Sequence, residues 1–179
     1  MSRLKQLNNR SVWITTLEVV FLLFLLCYGY KMHLDNVVRP VSVDENQRIL
    51  QETEFGIDSI SKPWTQSQEY LSISGWFVER YADLKKHREH VTVLLKDNTT
   101  GTYYRLPTTM NKRTDITDNF YDGTDYSRCG FSVHVKDDVV INLQQQDYEL
   151  YIYARTKSGS QLIDLGTGIN QWITDHQQN

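Results

Sequence analysis

Cysteine is almost absent from this chain: two occur in 179 residues, Cys27 and Cys129. Cys27 lies inside an apolar run and Cys129 far beyond it, so with that run embedded in a membrane they cannot pair, which excludes a disulfide framework. A domain exported without disulfides relies on its core, and the roughly 125 residues from Phe55 onward are enough for one. An excess of positive charge is also lacking. The chain has 19 basic and 22 acidic residues, and residues 31–179 alone carry a net charge of −5, which argues against a general nucleic-acid binder. There is no G-x-S-x-G, no H-E-x-x-H, no phosphate-binding glycine loop and no Cys/His metal spacing. His87, His90 and His134 are scattered. Neither an enzyme nor a cofactor site is expected.

Long hydrophobic stretches are lacking too, with one exception. Residues 12–30, VWITTLEVVFLLFLLCYGY, are the only segment apolar enough to enter a bilayer. As a helix this run spans about 28 Å, close to one hydrocarbon core. A cleaved signal peptide has a shorter apolar core and ends in small residues, whereas this run ends Leu-Leu-Cys-Tyr-Gly-Tyr-Lys. The reading is an uncleaved signal anchor. Arg3, Lys5 and Arg10 precede it, so the short leader 1–11 is expected inside the cell and the carboxyl-terminal part outside.

Residues 31–54 read as a stalk, broken by Pro40 and holding a short helix over 44–55 that Asp44 caps and Gly56 ends. From residue 55 the period changes to two, the mark of half-buried strands. Leu71 and Ile73 alternate with Ser72 and Ser74; Val91, Val93 and Leu95 with Thr92, Leu94 and Lys96. Phe131, Val133 and Val135 alternate with Ser132 and His134; Tyr148, Leu150, Ile152 and Ala154 with Glu149, Tyr151, Tyr153 and Arg155. Turns are signalled by Asp97-Asn98-Thr99-Thr100-Gly101 and Lys157-Ser158-Gly159-Ser160. The fold class is therefore all-β: an antiparallel β-sandwich of seven or eight strands, immunoglobulin-like or jelly-roll-like, over 55–179, preceded by one transmembrane helix and a short stalk.

Five short pieces carry a family resemblance: Gly56-Ile57-Asp58-Ser59-Ile60, Leu71-Ser72-Ile73-Ser74-Gly75-Trp76, Arg113-Thr114-Asp115-Ile116, Gly130-Phe131-Ser132-Val133 and Asp147-Tyr148-Glu149-Leu150. Together they resemble a β-sandwich module attached to Gram-positive glycosyltransferases and to teichoic-acid or surface-polysaccharide proteins. The resemblance spans most of 55–179. It implies a place beside cell-envelope glycopolymers at a Gram-positive plasma membrane, with no catalytic role for the module itself.

Glu18 is an ionisable residue inside the spanning segment, which costs a few kcal/mol. It either snorkels to the inner interface or stays protonated, or it meets a partner in the membrane. The acidic stretch 115–125, DITDNFYDGTD, lacks the spacing of an EF-hand and reads as a solvated loop whose carboxylates cap turns; calcium is the weaker reading. Arg113 and Asp115 share a face if extended, and serve either as a bridge pinning the loop or as contacts to a ligand's hydroxyls. Trp76 is a core residue or a sugar platform. Tyr151 and Tyr153 point away from the Leu150 and Ile152 face and are the better platform candidates. Lys85-Lys86-His87-Arg88 is a small basic cluster between strands.

The expectation is a non-catalytic, single-pass accessory protein that presents a carbohydrate-associated sandwich. Its partners would be a cell-surface glycopolymer and a polytopic membrane glycosyltransferase or polymer exporter. The rivals are a stand-alone wall-polymer binding or sensing module and a carboxylate-based hydrolase or transferase.

Overall fold

The computed structural model describes residues 2–43, 50, 52–61, 64–65, 68–81, 90–136, 148–156 and 158–169, with backbone alone at 2–11, 64–65, 68–69, 136 and 167. It divides into two compact units, Met1–Val37 and Val38–Asn179.

The first unit is one helix, α1 (Ser2–Asp35), and within it Val12–Asp35 is long and apolar enough to cross a membrane. Its large apolar side chains stand exposed, as a lipid-facing helix requires; Trp13, Leu17 and Leu26 are examples. Glu18 is exposed among them.

The second unit holds ten strands among the described residues, in two antiparallel sheets. They are β1 (Arg39–Val41), β2 (Thr53–Ser61), β3 (Trp64–Thr65), β4 (Gln68–Glu79), β5 (His90–Asp97), β6 (Tyr103–Arg105), β7 (Thr108–Asn111), β8 (Gly130–Lys136), β9 (Tyr148–Arg155) and β10 (Ser160–Gly168). Sheet A runs β1-β6-β5-β9-β10 and sheet B runs β2-β4-β8-β7, with β3 folded back on β4. The alternation delivers one face of each sheet to a shared core. Val91, Val93, Leu95, Leu150 and Ile152 of sheet A meet Leu71, Ile73, Phe77, Phe131 and Val133 of sheet B. The turn expected at 97–101 forms. Between β5 and β6, Gly101 takes φ +70° and its N–H donates to Asp97 O at 2.8 Å, while the Asp97 carboxylate accepts from the Thr99 N–H at 2.8 Å. Between β9 and β10, the Thr156 N–H donates to Gly159 O at 2.8 Å.

Three expectations are corrected. Part of the stalk expected over 31–54 belongs to the flanking elements: α1 continues to Asp35, and β1 pairs with β6 from Arg39. A strand of three residues that includes Pro40 carries no readable alternation. The helix expected over 44–55 is contradicted at its end, where Thr53–Ser61 is strand β2; residues 44–49 and 51 lie outside the described residues. The acidic stretch is not all loop either. A seven-residue helix, α2 (Thr114–Phe120), forms between β7 and β8, burying Ile116 and ending at Tyr121 in the left-handed region.

Candidate functional site

α2 and the chain that follows it lie on the outer face of sheet B. Two glycines prepare that face. Gly56 and Gly130 flank Trp76 in the neighbouring strands. A Cβ at Gly56 would stand 2.6 Å from the Trp76 indole nitrogen, and one at Gly130 would stand 2.5 Å from the Arg113 Cγ. Both large side chains therefore lie flat on bare backbone, a use of strand glycine that its conformational cost otherwise opposes. Trp76 meets Phe120 edge to face at 5.8 Å, and Val78, Ile116, Tyr126 and Cys129 complete a second apolar cluster.

Arg113 locks this cover to the sheet. Its guanidinium donates to Asp115 at 2.7 Å and also to Asp58, which sits where β2 is bulged between Ile57 and Ser59. These bonds, Asp115 foremost, hold the Arg113 guanidinium above its ordinary range, and the Arg113 bond holds the Asp115 carboxyl below its own. Asp115 belongs to the first turn of α2 and not to an extended segment, so the pair meets through helix geometry. The structure thus pairs Arg113 with Asp115 and packs Trp76 against Phe120 on the same face of sheet B. Beyond the bridge the outer face is lined by Ser59, Ser72, Ser74 and Ser132, with Tyr70 stacked on His134 at the far end at 5.0 Å.

Two carboxylates of the acidic stretch cap turns. Asp125 accepts from the Ser127 N–H at 3.0 Å, and Asp122 accepts from the Thr124 N–H at 2.9 Å and the Tyr126 hydroxyl at 2.7 Å. Among the described residues no group of three or more His, Cys, Asp or Glu side chains is placed to hold a metal.

Tyr151 and Tyr153 lie on the other sheet. Both point to the outer face of sheet A, as the alternation requires, but Tyr151 is only 7% exposed. It packs with Leu94 and Tyr103 in a third apolar cluster, with Val41, Val43, Tyr153 and Leu162 against it, and its ring meets Tyr103 at 5.4 Å. Its hydroxyl donates toward Glu149 at 3.1 Å and Asp164 at 3.2 Å. Burial first, then those carboxylates, push the phenol well above its ordinary value. Tyr151 is thus no open platform. Strand pairing sets which way a side chain points, and neighbours on the same face decide whether it stays open. Tyr153 is half-buried beside the same cluster, under the Arg155 guanidinium at 5.9 Å. Residues 85–88 lie outside the described residues.

The open aromatic surface is elsewhere, at the end of sheet B where β4 leaves the sheet. Tyr121 is 92% exposed and Tyr81 is 66% exposed, the two most exposed large apolar side chains outside α1 among the described residues. Both hold positive φ, 47° and 62°, in the left-handed region that bulky residues seldom adopt. One buried group fastens both. The Tyr126 hydroxyl accepts from the Tyr81 N–H at 2.8 Å and donates to the carboxylate of Asp122, the neighbour of Tyr121. Arg80 lies beneath, its guanidinium carbon 4.5 Å from the Phe120 ring centre and 5.5 Å from that of Tyr81. Arg80 also pairs with Glu54 at 3.6 Å and Asp122 at 3.8 Å. Burial acts to raise the Asp122 pKa, but the Thr124 and Tyr126 hydrogen bonds and the Arg80 charge outweigh it and leave the carboxyl below its usual range. The result is two exposed rings on a fixed backbone, with a guanidinium and two carboxylates beside them. The alternation argument missed this ledge because both tyrosines follow the regular elements; only the Asp122-Gly123 turn signal hinted at a tight corner there.

No protein-family model, no curated protein and no solved structure matches the chain.

Proposed function

We propose that this chain is a non-catalytic, single-pass membrane accessory protein whose β-sandwich contacts a cell-surface glycopolymer through the ledge of Tyr81 and Tyr121. The polymer is of the teichoic-acid or polysaccharide class, and the protein works beside a polytopic enzyme that builds, exports or modifies it at a Gram-positive membrane. In this reading α1 remains as the anchor, with its amino terminus inside and Glu18 facing the partner.

The observation that carries the reading is the pair of exposed rings held in left-handed backbone by Tyr126 and Asp122. Exposed aromatic faces cost solvation, and strained backbone costs on the order of 1–3 kcal/mol per residue, so their co-occurrence points to a contact surface. The apolar faces of sugar rings stack on aromatic rings, and Arg80, Glu54 and Asp122 offer hydrogen bonds to hydroxyl groups. Beyond the ledge, Ser59, Ser72, Ser74 and Ser132 on the same sheet face add further hydroxyl groups.

The test is retention of the full chain, in mild detergent, on immobilised teichoic acid and on immobilised neutral polysaccharide. Replacing both rings, Tyr81→Ala with Tyr121→Ala, leaves folding intact and weakens retention by roughly thirtyfold on the polymer that binds, at about 1 kcal/mol per ring. Equal retention of variant and parent, or no retention of the parent on either polymer, overturns the reading.

A further inference from the structure

Three residues other than glycine hold positive φ among the described residues, and all three gather at one corner: Tyr81, Tyr121 and Glu52, whose φ is 54°. A chain of hydrogen bonds joins their backbones. The Glu52 carbonyl accepts from the Arg80 N–H at 2.9 Å, and the Tyr126 hydroxyl accepts from the neighbouring Tyr81 N–H and donates to Asp122 beside Tyr121. The pairing of Thr53 with Glu79 places Glu52 opposite Arg80, at the end of the β2–β4 ladder. Opposed side chains share a face, with Cβ atoms about 4.5–5.5 Å apart. That face is the outer one of sheet B, because Glu54 and Gly56 follow Glu52 at alternate positions and Gly56 lies against Trp76. Glu52 is exposed, and among the described residues its carboxylate joins no ion pair and accepts no hydrogen bond. The fastening of the ledge uses only its backbone carbonyl, and glycine would hold that backbone without the strain.

We propose that Glu52 is the specificity-determining residue of the ledge, its carboxylate binding two adjacent hydroxyl groups of a neutral sugar whose ring stacks on the exposed tyrosines. An ionised carboxylate only accepts, and its two oxygens match a neighbouring pair of O–H donors. Charge separates the two polymer classes. Glu52, Glu54 and Asp122 stand at the ledge beside the guanidinium of Arg80, which is already paired with Glu54 at 3.6 Å and Asp122 at 3.8 Å. A chain of phosphodiesters brings like charge to these carboxylates, whereas sugar hydroxyls meet acceptors. The proposal rests on the reading of Tyr81 and Tyr121 as the glycopolymer contact, and it narrows the polymer to an uncharged polysaccharide.

The experiment measures retention of the full chain, in mild detergent, on immobilised dextran, mannan and poly(glycerol phosphate), with the unfolding temperature of each variant read alongside. The parent is retained more strongly on a neutral polymer than on poly(glycerol phosphate). Glu52→Gln, which removes the charge and keeps the shape, weakens that retention roughly tenfold through the loss of charge-assisted hydrogen bonds, and leaves the unfolding temperature unchanged. Glu52→Gly weakens retention at least as much and does not lower the unfolding temperature, because glycine relieves the left-handed strain. Retention of Glu52→Gln equal to that of the parent, stronger retention of the parent on poly(glycerol phosphate), or a lower unfolding temperature for Glu52→Gly overturns the assignment. The ledge is judged separately. Retention on any of the three polymers that falls when Tyr81 and Tyr121 are replaced by alanine sustains the ledge whatever Glu52 does, and a parent retained on none of them overturns both.

Discussion

Tyr126→Phe removes one oxygen atom and keeps both exposed rings. That oxygen is fully buried, accepts from the Tyr81 N–H at 2.8 Å and donates to Asp122 at 2.7 Å. A hydrogen bond to a carboxylate contributes about 1.5–3 kcal/mol; the Tyr81 amide adds less, because that residue is exposed and water replaces the lost partner. The expected loss is about 2–3 kcal/mol against a total near 5–15, so the unit still folds. For a unit of this size the unfolding midpoint falls by roughly 6–12 °C. The functional effect is larger than a ring count predicts. With Tyr81 and Asp122 no longer joined, the left-handed turns relax and glycopolymer retention falls though no ring is lost. Thermal unfolding and polymer retention, measured on the same preparation, check both parts. A variant that melts with the parent refutes the hydrogen-bond account, and one that melts early yet retains polymer fully refutes the positioning role.

Further outcomes follow from the same geometry. A fragment 38–179 unfolds cooperatively, whereas 55–179 loses β1, Leu50 at 5% exposure and the Glu54 partner of Arg80, and aggregates or melts early; identical calorimetric transitions for the two would restore the stalk. Stability falls in acid below about pH 4: burial acts to raise the Asp97 pKa, but the Thr99 and Thr100 hydrogen bonds outweigh it, so the folded value lies below the unfolded one and the stabilisation present above that range is lost as pH drops through it. Asp97→Asn flattens that acid slope in denaturation curves, and an unchanged slope contradicts the assignment. Glu18→Leu keeps α1 in the membrane but reduces co-purification of a polytopic partner in mild detergent; unchanged recovery means that Glu18 only snorkels.

The sandwich was legible because period-two alternation is a direct image of two packed faces. Ile73, Val93 and Ile152 each fall on the core side, and each is fully buried. Alternation says nothing of what covers the other side, which is why Tyr151 read as open while Leu94 and Tyr103 close over it. Short elements escape for a related reason. β1 has three residues including Pro40, and α2 has two turns whose apolar pair Ile116 and Phe120 sits among carboxylates, too few repeats for any period to stand out. Of the residues singled out as chemistry, Arg113 and Asp115 pair with each other where α2 begins, and Trp76 packs against Phe120 where it ends. The rings that stand open, Tyr81 and Tyr121, depend on left-handed backbone that no residue type other than glycine advertises.

Oxidative footprinting of the full chain in membranes, with and without bound glycopolymer, tests the central claim most directly. The rings of Tyr81 and Tyr121 label fast in the free protein because they are 66% and 92% exposed. Bound polymer protects both of them and leaves Phe55, itself 40% exposed, unchanged. Unaltered labelling of Tyr81 and Tyr121 under conditions where the polymer is bound would contradict the account.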